Sequence, residues 1–112
     1  MKLVKKYEGV TYAAPAHFGN WAMRKFGKPE GAKRLALSVS EFFPGGGAEM
    51  SVADKERLYY VLRGHITVHT KDGTAYEMDE GDTIYIPAGE ERDMIATGET
   101  AARCLVILGF DD

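Results

Sequence analysis

The 112-residue sequence predicts an all-β protein, a sandwich or a barrel, on three observations. From Lys33 onward, short runs of β-branched and aromatic residues are separated by Gly, Pro and Asp-Gly turn signals. Helical periodicity is nearly absent. Where apolar residues repeat, as at Leu35, Leu37 and Val39, they do so at every second position, the period of a strand. A chain of this length supports one domain with one core.

The first thirty residues carry the weakest pattern. Tyr12-Ala13-Ala14-Pro15 reads as extended or irregular chain, Asn20 to Phe26 as a short strand or a single helical turn, and Glu30-Gly31-Ala32 as a loop. Residues 1–32 are therefore an N-terminal extension packing on the barrel or on a partner subunit, and residues 33–112 the barrel domain. In the first barrel strand Leu35, Leu37 and Val39 alternate with Ala36, Ser38 and Ser40, giving one bulky apolar face and one small face; Pro44-Gly45-Gly46-Gly47 is read as its end. The run Leu58 to Leu62 is apolar on both faces, as a strand covered on both sides should be. In the strand from His65 to Thr70, Ile66 and Val68 should face the core, sending His65 and His69 outward.

Lys71-Asp72-Gly73 gives a tight hairpin, because Asp-Gly tolerates positive φ, and Thr74 to Met78 returns. Further strands are expected over Thr83 to Ile86, Arg92 to Ala96 and Ala102 to Leu108, with Tyr85 pointing away from the face of Ile84 and Ile86. Trp21 and Met23 are expected to cap the barrel or fill a dimer interface. Cys104, on an apolar strand with no nearby His or Lys to activate it, is expected to be inert core.

The net charge of −3 mixes acids and bases with no basic block, so nothing in the sequence offers a footprint for nucleic acid or an anionic membrane. One cysteine cannot form an intrachain disulfide, no apolar run approaches the roughly 20 residues of a membrane helix, and the lysine-bearing start lacks an apolar signal core. The expected compartment is the cytoplasm.

Two segments carry a family resemblance: Glu56-Arg57-Leu58-Tyr59-Tyr60-Val61-Leu62-Arg63-Gly64, and Gly81-Asp82-Thr83-Ile84-Tyr85-Ile86-Pro87-Ala88-Gly89. They resemble the two signature segments of the cupins, in particular small single-domain cupins of the type-2 conserved barrel family. The resemblance covers roughly Phe43 to Leu108 and implies a double-stranded β-helix, the cupin jelly-roll barrel, with an N-terminal extension. It also implies a homodimer, since small cupins often pair through their sheets.

In cupins the first segment supplies two histidines and a glutamate to a metal, and the second a third histidine. Anchoring the first segment on Gly45 and Gly64 puts Ser51 and Ala53 at the histidine positions and Arg57 at the glutamate position; the alternative spacing gives Met50 and Val52. The last histidine position is Arg92. A guanidinium has no lone pair to donate, so these residues form no metal site, and neither metal nor other cofactor is expected.

In this register Arg57 and Arg92 point into the barrel, with Tyr59 on the same face as Arg57. The expected function is that of a metal-free cupin binding a small anionic, carboxylate-like metabolite in an arginine-lined pocket. Arg57 and Arg92 would clamp the carboxylate, Ser51 and Tyr59 would add hydrogen bonds, and apolar neighbours such as Val61 and Met94 would shape the rest. Internal ion pairs from Glu49, Glu56, Glu90 or Glu91 to the arginines are the open alternative at the site. Two other functions also stand: a metal-dependent lyase, isomerase or dioxygenase with an unusual ligand set that includes His17, and a structural or interaction module whose pocket its own side chains fill.

Overall fold

The computed structural model describes residues 1–110, so the last two positions of the expected barrel domain lie outside the described residues. Nine strands run in chain order: β1 (Val10–Tyr12), β2 (His17–Phe26), β3 (Leu35–Ser51), β4 (Arg57–Arg63), β5 (Ile66–Thr70), β6 (Ala75–Met78), β7 (Thr83–Ile86), β8 (Arg92–Ala96) and β9 (Ala102–Gly109). Among the described residues the one helical element is a 3₁₀ turn, Lys28–Glu30. Hydrogen-bonded order is β6-β5-β8-β3-β9-β4-β7, with β2 added to β3 and β1 to β2. No helix is long and apolar enough to cross a membrane among the described residues.

The long strand β3 makes this path a barrel. Its first half, Leu35 to Phe42, pairs with β9, and its second half, from Gly47, pairs with β8. One strand thus belongs to both halves of the double-stranded β-helix, turning the corner between them. Pro44-Gly45-Gly46-Gly47, read from sequence as the end of this strand, is instead the corner inside it. The glycines are needed there for two reasons. Gly45 adopts φ +83°, and a Cβ on Gly47 would lie 2.0 Å from the Met94 carbonyl oxygen of β8.

The two faces of β3 behave oppositely to a simple amphipathic strand. The small residues Ala36, Ser38 and Ser40 point inward, and bulky Leu35 stands outside, 55% exposed. Of these small residues, Ser40 lines the cavity described below, beside the larger Phe42 of the same face. Further along, Phe42, Val61, Ile66, Val68 and Cys104 fill the barrel as its largest fully buried side chains.

The strand β4 departs from expectation. Tyr59 and Val61 are buried, but Leu58, Tyr60 and Leu62 are 36–40% exposed, so only one face is covered by the chain itself. Asn20 to Phe26 lies within the longer strand β2, paired along β3 from His17↔Ala48 to Phe26↔Leu37. Ile66 and Val68 face inward and His65 and His69 outward, as the alternation predicts. In the hairpin that follows, Asp72 Oδ1 accepts hydrogen bonds from Thr70 Oγ1 and from the Thr74 amide (3.0 Å) and hydroxyl (2.8 Å). These bonds favour the ionised form and hold its carboxyl down at about 2.

His65 ties β5 to the end of β6. Its Nε2 donates to Glu77 and its Nδ1 to Asp79, each at 2.7 Å, so both ring nitrogens carry protons and the imidazole is a cation. The bonds to Glu77 and then Asp79 raise its pKa above 6.5, and the bond from His65 lowers that of Glu77. The stabilisation from His65 is fully present below the ordinary imidazole pKa and is lost as pH rises through the raised value. That from Glu77 is present above the ordinary carboxylate range and is lost as pH falls through the lowered value. The melting temperature of wild type should therefore exceed that of His65→Gln most between roughly pH 5 and 6.5, with the gap narrowing at pH 9. A gap that does not change with pH would mean that the charged cluster contributes nothing.

Candidate functional site

Inside the barrel mouth is a cavity of about 350 Å³. Its polar wall comes from three strands that the β3 corner brings together. Ser51 ends β3 and is the register partner of Arg92 at the start of β8, while Arg57 and Tyr59 come from the inward face of β4. The alternation of β4 explains why Arg57, Tyr59 and Val61 all point inward. Val61 sits deeper, in the core, and does not line the cavity. The other apolar lining includes Phe42, Met94, Val106 and Leu108.

All five residues singled out as a ligand site, Ser51, Arg57, Tyr59, Arg92 and Met94, line this one cavity. Ala53, at the second histidine position of the family pattern, lines it too, as does Val52 of the alternative spacing, while Met50 does not.

Arg92 is the centre of the arrangement and is only 4% exposed. Its Nη1 donates to Ser51 Oγ at 2.8 Å and to the Ser51 carbonyl at 3.3 Å. Its Nη2 donates across the barrel to Tyr59 Oη at 3.0 Å. Every partner is a neutral oxygen. Because Ser51 Oγ and Tyr59 Oη accept from the guanidinium, both hydroxyls keep their own protons free to donate.

Arg57 is half-buried and loosely held, its Nε and Nη2 each 3.4 Å from the Lys55 carbonyl. Among the described residues no carboxylate forms an ion pair with either arginine. The acids considered as internal partners are engaged elsewhere or remote: Glu56 accepts from Tyr85 Oη at 2.9 Å, and Glu91 pairs with Lys71. Among the described residues the cavity lining contains no Asp or Glu.

His17, named from sequence only as a ligand of the alternative metal-dependent reading, also lines the cavity. It arrives there because β2 pairs with the far half of β3, placing His17 opposite Ala48. The turn before it is tight: Ala16 has φ 59°, a left-handed conformation that costs a non-glycine residue about 1 kcal/mol or more. The Ala16 carbonyl accepts from the Glu49 amide at 2.8 Å, pinning the turn to β3. Cys104 is buried behind the wall, and burial pushes its thiol up to about 12, so it is no nucleophile.

The donor set does not suit a metal. The polar lining includes Ser51, Arg57, Tyr59 and Arg92 with Ser40, His17 is the cavity's one imidazole among the described residues, and these hold no group of three or more His, Cys, Asp or Glu arranged for an ion.

A barrel of this topology with Gly-x5-Pro-x-Gly at its second motif defines a class, and comparison with known proteins agrees. The family model described as "Cupin domain" matches residues 38–108, and the chain belongs to that family. It is 33% identical over 107 residues to the β-D-galactosidase Rv1717 of Mycobacterium tuberculosis, a match spanning 95% of this chain and 91% of the relative. Among solved structures it resembles the polyketide cyclase RemF of Streptomyces resistomycificus, with TM-score 0.86 and 25% identity over 99% of this chain and 80% of that one. It also has the fold of KdgF from a Halomonas species, with TM-score 0.81 and 13% identity over 100% and 96% of the two chains.

Proposed function

We propose that this cupin binds a small organic anion, with a carboxylate or enolate-like group, in the cavity between Arg57 and Arg92, without a metal. One observation carries the reading: Arg92 is a buried permanent cation whose bonds all go to neutral oxygens, in a cavity it shares with a second arginine and no acid. Burying an uncompensated charge costs several kcal/mol, roughly, and an anionic ligand removes that cost. The cavity lies within the range of small-ligand pockets, about 300–1,000 Å³, and about 350 Å³ of free space argues against a module filled by its own side chains.

Two relatives are enzymes by name, which favours a reactive cavity over an inert one. Glycoside hydrolysis is the less fitting reaction here, since it ordinarily needs a pair of carboxyl groups and the lining offers none among the described residues. The reading is tested by thermal shift with pyruvate, 2-oxobutyrate, acetoacetate, malonate and benzoate, each against its uncharged amide or alcohol, and with galactose. An acid at about 100 times its dissociation constant should stabilise the fold by about 2.7 kcal/mol, and Arg57→Ala should weaken that effect. Stabilisation by galactose and by none of the acids would overturn the proposal.

The outer face of the sheet supports a homodimer as part of the same proposal. Leu58 lies between Tyr85 and Ile107, and Tyr60 beside Leu105, with Leu35 and Trp21 exposed on the same surface. An apolar sheet face of this kind is self-complementary across a two-fold axis. Wild type should have the mass of a dimer in solution and Leu58→Asp that of a monomer; a monomeric wild type contradicts this.

A further inference from the structure

We infer that His17 is the catalytic base of this cavity and that its reaction begins by removing a proton from a carbon next to a carbonyl, in an oxo acid bound as proposed above. The inference rests on that anion-site reading and on three features of His17 that the reading does not use.

The first is its tautomer. Nδ1 lies 2.7 Å from the Pro15 carbonyl, which can only accept, so Nδ1 carries the proton and Nε2 of the neutral ring carries the lone pair. The second is orientation. The ring stacks on Phe42, with centroids 6.5 Å apart and planes at 24°, while the strained turn at Ala16 is anchored to β3. Strain of this kind persists where surrounding contacts hold it, and it gathers at functional sites. The third is the company it keeps. Arg57, Arg92, Tyr59 and Ser51 all donate hydrogen bonds, so Nε2 is the one basic atom among the side chains of that polar wall, and no residue among those described hydrogen-bonds to it.

A base lining the same cavity as several donors is the pairing that enolisation needs. The arginine clamp holds the carboxylate. Nε2 takes the proton as the C–H bond breaks, the C–H electron pair becomes the carbon–carbon double bond of the enolate, and the carbonyl π pair moves onto oxygen. The Tyr59 hydroxyl, whose oxygen accepts from Arg92, donates to that oxygen. The imidazolium then delivers a proton to oxygen, giving a tautomer, or, after trading its proton with solvent, to carbon, giving exchange; either way the neutral ring is restored. No oxidant, reductant or second substrate is required.

The test uses the intact protein in D₂O, following by proton NMR the exchange of C–H protons of pyruvate, 2-oxobutyrate and acetoacetate. Wild type should accelerate exchange at least tenfold over buffer for an oxo acid that also raises its melting temperature. His17→Gln should lose the acceleration and keep the stabilisation. Binding without acceleration in wild type, or His17→Gln exchanging as fast as wild type, overturns the role of His17 and leaves the anion site standing. If no acid stabilises wild type, the anion site itself has failed and this inference falls with it. Nitrogen-15 shifts of the His17 ring in ligand-free wild type, at a pH where the ring is neutral, should show protonated Nδ1 and bare Nε2; bare Nδ1 overturns the assignment without any variant.

Discussion

Arg92→Met is expected to leave the free protein at least as stable as wild type while reducing affinity for a stabilising acid at least about 100-fold, roughly 3 kcal/mol. The two halves of that result have one cause. In the free protein the guanidinium is buried with only neutral partners, and replacing a buried charge by an apolar side chain of similar length is often neutral or stabilising, by about 1–4 kcal/mol. The hydroxyls of Ser51 and Tyr59 lose a donor but border a cavity that admits water. With the anion bound, the same guanidinium supplies charge-assisted bonds to it, and methionine supplies none. Denaturant melts and calorimetric titration on the same two proteins check both halves. A variant that loses several kcal/mol of stability yet binds acids as wild type does would make Arg92 a structural latch between β8 and β4.

Gly47→Ala is expected to be the most damaging single methyl in the chain, costing at least about 3 kcal/mol and lowering the melting temperature by roughly 10 °C or more. The added carbon would stand 2.0 Å from the Met94 carbonyl oxygen and 2.9 Å from the Ile95 Cα, all backbone, so no rotamer change can relieve it. Relief requires β3 and β8 to part where Gly47 pairs with Ile95 and Ala48 with Met94, next to the Ser51–Arg92 contact. Gly73→Ala is the control: nothing lies within 4 Å of its added carbon, and its cost is that of a positive φ, about 1 kcal/mol. Equal melting temperatures for the two variants would contradict the close approach of β3 and β8.

The contrast between these glycines shows what the sequence could and could not convey. Asp72-Gly73 is a turn because of its own backbone preferences, and it reads as one. Pro44 to Gly47 is also a run of turn-forming residues, yet its glycines serve a corner and a close approach to strands distant in sequence, which local pattern does not encode. That Ser51, Arg57 and Arg92 share one cavity was legible only through the resemblance to the cupin motifs, which set their register; two-residue periodicity then put Tyr59 on the face of Arg57. His17 was not legible, since its place in the cavity depends on the pairing of β2 with the far half of β3 and on one strained alanine. The alternation in β3 was visible, but the direction of its small face was not: Leu35 stands exposed while Ala36, Ser38 and Ser40 are buried, with Ser40 at the cavity.

The central claim is that the places of the family's metal ligands have become an anion site. The most direct measurement is a high-resolution structure with the most stabilising acid bound. The account predicts its carboxylate within hydrogen-bond distance, about 2.7–3.0 Å, of the guanidinium groups of Arg57 and Arg92. A glutamate of the chain between those two groups, or a metal ion in the cavity with both arginines turned away, would contradict it.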